Sequence, residues 1–297
     1  MIVFNGVSGS LGRFFSGAAQ RRGLAPHALR ARLEDRAGLR SELAQLPSIG
    51  EAATLVQMAA RVSVPACEAD PEGTQRCNVI DCRDTVLDFA AWAKARGATA
   101  RVIYVSSGHV YASQPVGARA NEETLTLPRS VYARSKLAAE QELQSHASPA
   151  SFGLVVARVF GLIAPSQPAH YVLPGLLRRV RERNLQGVPG LDYVRDYLDA
   201  RDVCDTLLDF ISSDAGQNAQ GIFNVCSGEA VTLRAIVAEI AAVIAPSEAK
   251  ALAALATAAE GRADDVPWIV GDPSKLTATL GHGARRKSLS ETIVDAA

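Results

Sequence analysis

A tyrosine and a lysine lie four residues apart in the segment YARSK, residues 132–136. On a helix, this spacing puts the Tyr132 phenol and the Lys136 ammonium on one face. A free tyrosine has a pKa near 10 and is a poor acid or base at neutral pH. A neighbouring ammonium would lower that pKa, which suits proton exchange with a sugar hydroxyl or a ketone. The pair is a candidate proton-transfer group, although the same spacing often arises by chance.

A serine upstream gives this pair a context. The apolar, β-branched segment Arg101–Ser106 predicts a strand that ends in a turn at Ser107 and Gly108. The carboxyl ends of parallel strands are where ligands bind in such sheets. We therefore predict that Ser107 donates a hydrogen bond to the substrate oxygen while Tyr132 moves the proton. Gly108 and His109 are predicted to contact the substrate as well, but His109 is equally consistent with an auxiliary acid or a structural histidine of the loop.

A glycine-rich segment, GVSGSLG, occupies residues 6–12. Its glycines follow the spacing GxxGxxG, directly after a short apolar strand and at the start of a predicted helix. Glycine permits a tight turn and lets the backbone approach a pyrophosphate, whose charge the helix N-terminus favours. The residues predicted to contact a dinucleotide cofactor here are Gly6, Ser8, Gly9, Ser10, Leu11 and Gly12.

The segment after the next strand bears on the choice of cofactor. Arginine at this point suits the 2′-phosphate of NADP, and Arg30 and Arg32 are the candidates. Glu34 or Asp35 could instead bind the ribose hydroxyls of NAD. We expect NADP, with NAD as the alternative.

The elements that must position these residues alternate between strands and helices. Strands are predicted at Met1–Phe4, Ala53–Ala59, Arg101–Ser106, Phe152–Phe160 and Gly221–Cys226. Helices are predicted at Leu11–Arg22, Val79–Ala95, Val131–Ser145, Tyr171–Arg183, Asp202–Ser212, Thr232–Ile244 and Ala249–Ala259. This alternation predicts an α/β fold, a Rossmann-type doubly wound parallel sheet. We expect residues 1–165 to form the NAD(P)-binding domain, with segments from about 193–226 returning to it. Residues 166–297 should form mainly a smaller, C-terminal substrate-binding lobe.

Composition excludes several classes of function. The 297 residues carry 31 basic and 31 acidic side chains, which gives no electrostatic reason to expect a nucleic acid or a membrane partner. No apolar run is long enough to span a bilayer, and no basic segment precedes the apolar N-terminus, so a cytoplasmic protein is expected. The five cysteines include no CxxC pair, so neither a disulfide framework nor a metal site is predicted.

The ordered motifs resemble the extended short-chain dehydrogenase/reductase family, which includes nucleotide-sugar epimerases, dehydratases and 4-ketoreductases. The matching segments are GVSGSLG, TLVQMAARVSV, CNVIDCRDTVLDFA, YVSSGHVY, VYARSK, ARVFGLIAP, VRDYLDARDV and FNVCSGEAVTL. The resemblance implies a catalytic group of Ser107, Tyr132 and Lys136, with Tyr132 and Lys136 also contacting the cofactor. It places Ala59, Ala60 and Val105 at the cofactor and assigns Arg195 to the diphosphate of a nucleotide-diphosphate sugar. It also implies a homodimer formed through the helices at about 79–96 and 131–145.

Three reactions occur on this family scaffold. A 4,6-dehydratase usually has an Asp-Glu pair after the catalytic serine or threonine, where this chain has Gly108 and His109. Dehydration is therefore not expected. The region around Gln167 is most similar to GDP-4-keto-6-deoxymannose reductases, so we expect a 4-ketoreductase, with a 4-epimerase as the alternative. Gly161 departs from the family, because many members have an asparagine there that touches the substrate. A protein that binds NAD(P) without catalysis is the alternative from another class.

Overall fold

The computed structural model describes residues 1–47, 50–148, 151–165, 167–169, 171–261, 265–284 and 287–297. The strands are β1 Ile2–Phe4, β2 His27–Ala28, β3 Ala52–Gln57, β4 Thr99–Ser107, β5 Gly153–Val159, β6 Gly161–Ile163, β7 Val188–Pro189, β8 Val194–Arg195, β9 Tyr197–Asp199, β10 Gly221–Val225, β11 Val231–Thr232, β12 Ala258–Ala259 and β13 Trp268–Ile269. The helices are α1 Gly12–Arg21, α2 Arg36–Gln45, α3 Val64–Ala69, α4 Pro71–Gln75, α5 Cys82–Lys94, α6 Val131–His146, α7 Val172–Arg181, α8 Ala200–Ser212, α9 Asp214–Asn218, α10 Leu233–Ile244, α11 Ala249–Ala254, α12 Ser274–Leu280 and α13 Leu289–Ala296.

Six strands form one parallel sheet in the order β10-β5-β4-β3-β1-β2. Its central strands are apolar and β-branched because helices cover both faces of the sheet. Strand β2 lies on one side of β1, and the next strand along the chain, β3, lies on its other side. The direction in which strands are added to the sheet therefore reverses between β1 and β3. A crevice at the carboxyl ends of the strands opens at such a reversal. The predicted Rossmann-type α/β fold is confirmed.

Two apolar clusters hold the helices to the sheet. One packs α2, α5 and α6 on one face, with Phe89 and Leu143 fully buried. The other packs α1, α8 and α12 on the opposite face, around Phe15 and Leu207. A third cluster lies apart from the sheet and joins α7, α10, α11 and α13. No helix in the described ranges is long and apolar enough to cross a membrane.

Several elements differ from the sequence prediction. The helix predicted at Ala249–Ala259 ends at Ala254, because the next residues pair with the segment 185–189: Thr257 N donates to Leu185 O at 3.0 Å, and β12 runs beside β7. The strand predicted to end at Ala59 ends at Gln57. Six helices of the described ranges, α2, α3, α4, α9, α12 and α13, were not predicted.

Segments after residue 165 contact the sheet at different places. Strand β10 joins its edge beside β5, and α8 covers one face. At this edge, Lys275 Nζ donates to the Ile222 carbonyl at 2.7 Å. Strand β9 instead pairs with β6, outside the central sheet. The division of the chain at residue 165 stays a prediction.

Arg101 at the start of β4 joins three segments without a carboxylate partner among the described contacts. Its guanidinium donates to the carbonyls of Phe210, Gly216 and Ala219, which end α8 and α9. Arg101→Met removes the guanidinium donor from these buried carbonyls, so we expect the free energy of unfolding to fall by about 2–4 kcal/mol. Denaturant unfolding measures the change. The control Arg40→Met removes an exposed ion pair with Asp88 and should cost less than about 1 kcal/mol. Equal losses in the two variants would contradict this role of Arg101.

Candidate active site

A cavity of about 1100 Å³ opens at the carboxyl ends of β1, β3 and β4. It collects nearly all of the residues that the sequence singled out. The predicted residues that line it are Gly6, Ser8, Gly9, Ser10, Leu11, Gly12, Arg30, Arg32, Ala59, Ala60, Val105, Ser107, His109, Tyr132, Lys136 and Arg195. Residues separated by almost 190 positions (from Gly6 to Arg195) therefore share one site.

Gly108 differs from its prediction as a substrate contact. It is buried, and it is not among the residues that line the cavity. A Cβ at this position would lie 2.8 Å from Cγ of Phe160, so the aromatic ring closes over it. Glycine is needed here for packing.

Close backbone approaches shape the glycine-rich loop. Gly6 has a φ of +75°, and a Cβ on it would lie 2.8 Å from the amide nitrogen of Ala59. A Cβ on Gly12 would lie 2.2 Å from the Gly6 carbonyl oxygen. Helix α1 follows directly, with Leu11 at its N-cap position, and no side chain caps its N-terminus by a hydrogen bond. The loop therefore brings bare backbone and the positive end of a helix to the cavity wall.

A buried asparagine that the sequence analysis did not identify holds this loop against β3. The Asn5 side-chain oxygen accepts hydrogen bonds from Met58 N and Ala59 N, both at 2.9 Å. Its Nδ2 donates to Oε1 of Gln57 at 2.5 Å. A polar residue that directly follows an apolar strand was the available signal. The placement of Ala59 and Ala60 in the cavity wall depends on this contact.

Ser107 and Tyr132 meet at the end of β4. The Ser130 hydroxyl caps α6 by accepting from Ala133 N at 3.1 Å, so Tyr132 lies in the first turn of the helix. Burial raises the pKa of Tyr132 to about 12, although a hydrogen bond with Ser107 acts in the opposite direction. The phenol is therefore protonated at neutral pH and is suited to donate a proton.

Lys136 lies one helical turn further along α6, with a side chain that is 3% exposed. Its Nζ lies 4.4 Å from the centroid of the Tyr104 ring, a cation–π contact. Burial lowers the pKa of Lys136 from 10.5 to about 8. The prediction that this ammonium lowers the pKa of Tyr132 is wrong here. The groups that act on the phenol are Ser107, Cys67 and Tyr171, and burial outweighs them.

His109 lies beside this group, half-buried in the cavity wall. Its backbone N–H donates to Ser107 Oγ at 3.2 Å, which fixes the turn that presents the serine. This backbone contact does not depend on the imidazole. Both roles weighed for the imidazole, acid or structural, stay predictions.

Arg195 already has an anionic partner in the cavity wall. Its Nη2 donates to Oδ1 of Asp265 at 2.5 Å, and its Nη1 donates to the Val194 carbonyl at 2.9 Å. A diphosphate at this guanidinium would compete with the Asp265 carboxylate. Arg195 therefore lines the cavity but is not a free cation, and its contact with a substrate stays a prediction.

The arginines and the glutamate considered for the cofactor ribose, Arg30, Arg32 and Glu34, line the cavity in the loop beyond β2. The hydrogen bond of Leu29 N to Phe4 O, at 2.8 Å, ends the pairing of β2, so Arg30 is the first residue beyond it. Arg30 and Arg32 are exposed, and Arg32 Nη1 lies 3.6 Å from Oε1 of Glu34. Arg61 and Arg76, which the sequence analysis did not identify, also line the cavity.

Two features near β6 bear on the family comparison made from the sequence. Gly161 lines the cavity, and a Cβ on it would lie 2.6 Å from the Asp196 carbonyl oxygen, so no side chain fits there. Gln167 borders a smaller cavity of about 280 Å³ beside the glycine-rich loop. Its side chain accepts from Ala164 N and donates to the Leu162 carbonyl. Gln167 therefore shapes the segment after β6.

Comparison with known proteins identifies the family of this chain. The NAD dependent epimerase/dehydratase family model matches residues 2–226. The GDP-6-deoxy-D-mannose reductase of Pseudomonas aeruginosa is 31% identical over 205 residues, 65% of this chain and 64% of that protein. The chain thus spans less than two thirds of the length of this relative.

Solved structures extend the likeness to the whole chain. The structure of RMD from Pseudomonas aeruginosa complexed with NADPH is 25% identical, with a TM-score of 0.76, over 99% of this chain and 96% of that one. The UDP-glucose 4-epimerase of Thermus thermophilus, complexed with NAD, is 24% identical, with a TM-score of 0.80, over 99% and 97% of the two chains. The second likeness shows the fold alone.

Gly12→Ala tests the close approach in the loop. The added methyl would meet the Gly6 carbonyl at 2.2 Å, so the loop must shift. We expect the affinity for NADPH or NADH, measured by fluorescence titration, to fall at least about 10-fold, which corresponds to about 1.4 kcal/mol. In the control Gly17→Ala, on the same helix, the nearest atom is 3.8 Å away at the end of the Arg21 side chain. That variant should bind normally and be slightly more stable. Unchanged binding by Gly12→Ala would contradict the role of the loop.

Lys136→Met tests the cost of burying the ammonium. The folded pKa of about 8 lies below 10.5, so between these values the unfolded chain binds more protons, and stability rises with pH. Below pH 8 the whole penalty is present. We expect Lys136→Met to raise the free energy of unfolding at pH 7 by about 2–3 kcal/mol and to abolish this rise. Denaturant unfolding from pH 7 to 10.5 measures both, with the exposed Lys94→Met as control. A loss of stability in Lys136→Met at pH 7 would contradict the prediction.

Proposed function

Because the chain belongs to the NAD dependent epimerase/dehydratase family, within the extended short-chain dehydrogenases/reductases, we propose that it reduces a 4-keto-6-deoxy nucleotide sugar, GDP- or dTDP-linked, with NAD(P)H. The observation that carries the proposal is the meeting of Ser107, Tyr132 and Lys136 in the cavity that the glycine-rich loop also lines. A dehydratase would need further acid–base groups, and Gly108 offers none. The likeness to a GDP-6-deoxy-D-mannose reductase supports a reductase over the epimerase alternative.

The residues present fit a nicotinamide dinucleotide. Gly6 and Gly12 leave a cradle that a Cβ would fill, and the uncapped N-terminus of α1 favours an anionic group. We propose that this loop holds the pyrophosphate and that Val105, Tyr132 and Lys136 hold the nicotinamide end. When bound, the cofactor supplies the hydride.

The chain's own residues supply the proton. The Tyr132 phenol, protonated at neutral pH, donates its proton to the oxygen of the substrate ketone. Ser107, which is hydrogen-bonded with Tyr132, also donates to that oxygen and orients it. The Lys136 ammonium lies on the same face of α6, and we propose that it holds the ribose at the nicotinamide end of the cofactor. Its pKa of about 8 keeps most of it charged at neutral pH.

NADPH is the cofactor that we propose. Arg30 and Arg32 project from the loop beyond β2, where a 2′-phosphate would be recognised, and both line the cavity. Glu34 pairs with Arg32 and leaves Arg30 as the cation outside that pair. The same Glu34 would be the contact for NAD if the preference were reversed.

We also propose that residues 166–297 contribute most of the substrate-binding lobe. The separate apolar cluster around α7 and α10 supports this division, and Tyr193, Arg195 and Asp265 bring it to the cavity. In this proposal Arg195 holds the diphosphate of the substrate. A homodimer through the helices at about 79–96 and 131–145 and a cytoplasmic location stay predictions.

Loss of NAD(P)H absorbance with GDP- and dTDP-linked 4-keto-6-deoxyhexoses tests the function. We expect consumption with at least one of these sugars, faster with NADPH than with NADH. Tyr132→Phe removes the proton donor, so the rate should fall about 10²- to 10⁴-fold while NADPH still binds.

The other outcomes distinguish the alternatives. Interconversion of 4-epimers without net consumption would favour an epimerase. NADPH binding with no conversion of GDP-, dTDP- or UDP-linked ketosugars would contradict the reductase and favour a non-catalytic protein.

A further inference from the structure

A buried ion pair lies beneath the catalytic group. Glu140 on α6 and Arg158 on β5 are 1% and 3% exposed. Arg158 Nη2 donates to Oε2 of Glu140 at 2.6 Å, and Arg158 Nε donates to Oε1 at 3.0 Å. The two planar groups therefore meet side by side, the geometry in which a guanidinium binds a carboxylate best.

The Glu140 carboxylate has a second partner residue at the edge of the cavity. The Ser106 hydroxyl donates to Glu140 Oε1. Ser106 precedes Ser107 in β4 and is paired in register with Arg158 of β5. One carboxylate thus joins α6, β4 and β5 where the strands deliver the reacting side chains. On the other side of the pair, the Arg158 guanidinium lies 4.8 Å from the ring centroid of Tyr111.

Stability alone does not explain this arrangement. Two charges lose their hydration when they are buried, and an apolar pair of similar size is often as stable or more stable. A buried pair therefore invites a second explanation, and its position beside Lys136 offers one.

Lys136 lies one helical turn before Glu140, so the two side chains share a face of α6. The groups that face the ammonium are the Tyr104 ring from β4, Cys82 from α5, Cys77 from the π-helical segment Arg76–Asp81 before α5, and Glu140 from its own helix. Burial raises the pKa of the Cys82 thiol to about 12 and also raises the pKa of Cys77, so both are neutral at pH 7. Among these groups, Glu140 supplies the negative charge.

We propose that Glu140, fixed by Arg158, is the positioning residue of the catalytic group: its buried carboxylate keeps Lys136 in the cationic form and holds the Ser106–Ser107 end of β4 against α6. Arg158 has the supporting role of fixing the Glu140 carboxylate in place through two hydrogen bonds. The part that concerns catalysis rests on the reductase proposed above. The part that concerns the charge of Lys136 does not.

Lysine ¹³Cε NMR measures that charge directly in the ligand-free protein. The chain has five lysines, and Lys136→Met assigns the signal of interest. In Glu140→Gln, the loss of the negative charge should move the titration midpoint of Lys136 down by about one pH unit. The matched control is Glu142→Gln on the same helix. The Glu142 side chain is 40% exposed, and its carboxylate lies 3.7 Å from the guanidinium of Arg83. That variant should leave the midpoint unchanged, and an unchanged midpoint in Glu140→Gln would overturn the proposal.

A second variant covers the case in which Glu140→Gln does not fold, since it leaves Arg158 as an unpaired buried cation. Glu140→Gln combined with Arg158→Met removes both charges. The double variant should fold and show the same lowered midpoint for Lys136. Glu140→Asp keeps a carboxylate and should restore the midpoint toward that of the unaltered chain. A wild-type midpoint in the double variant would also overturn the proposal.

NADPH consumption separates this proposal from the function on which it partly rests. If the reductase is correct, kcat should fall with rising pH about one unit earlier in the double variant, with little change in KM. Suppose that the unaltered chain consumes NADPH and that kcat falls at the same alkaline pH in the double variant as in the unaltered chain. That result would overturn the positioning role and leave the reductase standing. A shifted NMR midpoint without consumption by any form of the protein would support the charge control and contradict the reductase.

Discussion

The site depends on the close approach of two chain segments where the winding of the sheet reverses. The turn after β1 and the end of β3 meet with the Gly6 Cα beside the Ala59 amide, too close for any side chain at Gly6. Asn5 holds the same contact from below by accepting from two amides of the β3 end. Because the backbones touch, the start of α1 lies directly over the carboxyl edge of the sheet. The serine at the end of β4 and the first turn of α6 then face the same cavity.

The parts of this arrangement that follow from local chemistry could be predicted. Each of three patterns lies within one segment: the glycine spacing, the apolar strands and the i,i+4 pair. The order of these segments along the chain is enough to predict a doubly wound sheet. The wall residues Ala59 and Ala60 were placed by resemblance, and the structure agrees with their position. The predicted end of β3 differs from the observed end by only two residues, which is within the usual uncertainty of element boundaries.

Other features depend on contacts between distant segments, and no local pattern reports them. Helix α2 follows a two-residue strand and is amphipathic only weakly, so its attachment rests on packing against α5 and on Arg36 and Arg40 reaching Asp88. The raised pKa of Tyr132 depends on burial that appears only when α6 closes on β4. For the same reason the i,i+4 spacing predicted the wrong direction for that pKa. Gly108 was predicted to contact the substrate because its neighbours in the sequence were, whereas in the structure the Phe160 ring packs over it.

The two ends of the central sheet have a consequence for the behaviour of the protein in concentrated solution. An open sheet offers unpaired backbone groups at each edge, which can template strand pairing with another molecule. Here one edge strand, β2, is only two residues long, too short to support such pairing. At the other edge, the Lys275 ammonium occupies a carbonyl of β10 and places a charge beside the strand. Both edges of the central sheet are therefore protected against strand pairing with another molecule.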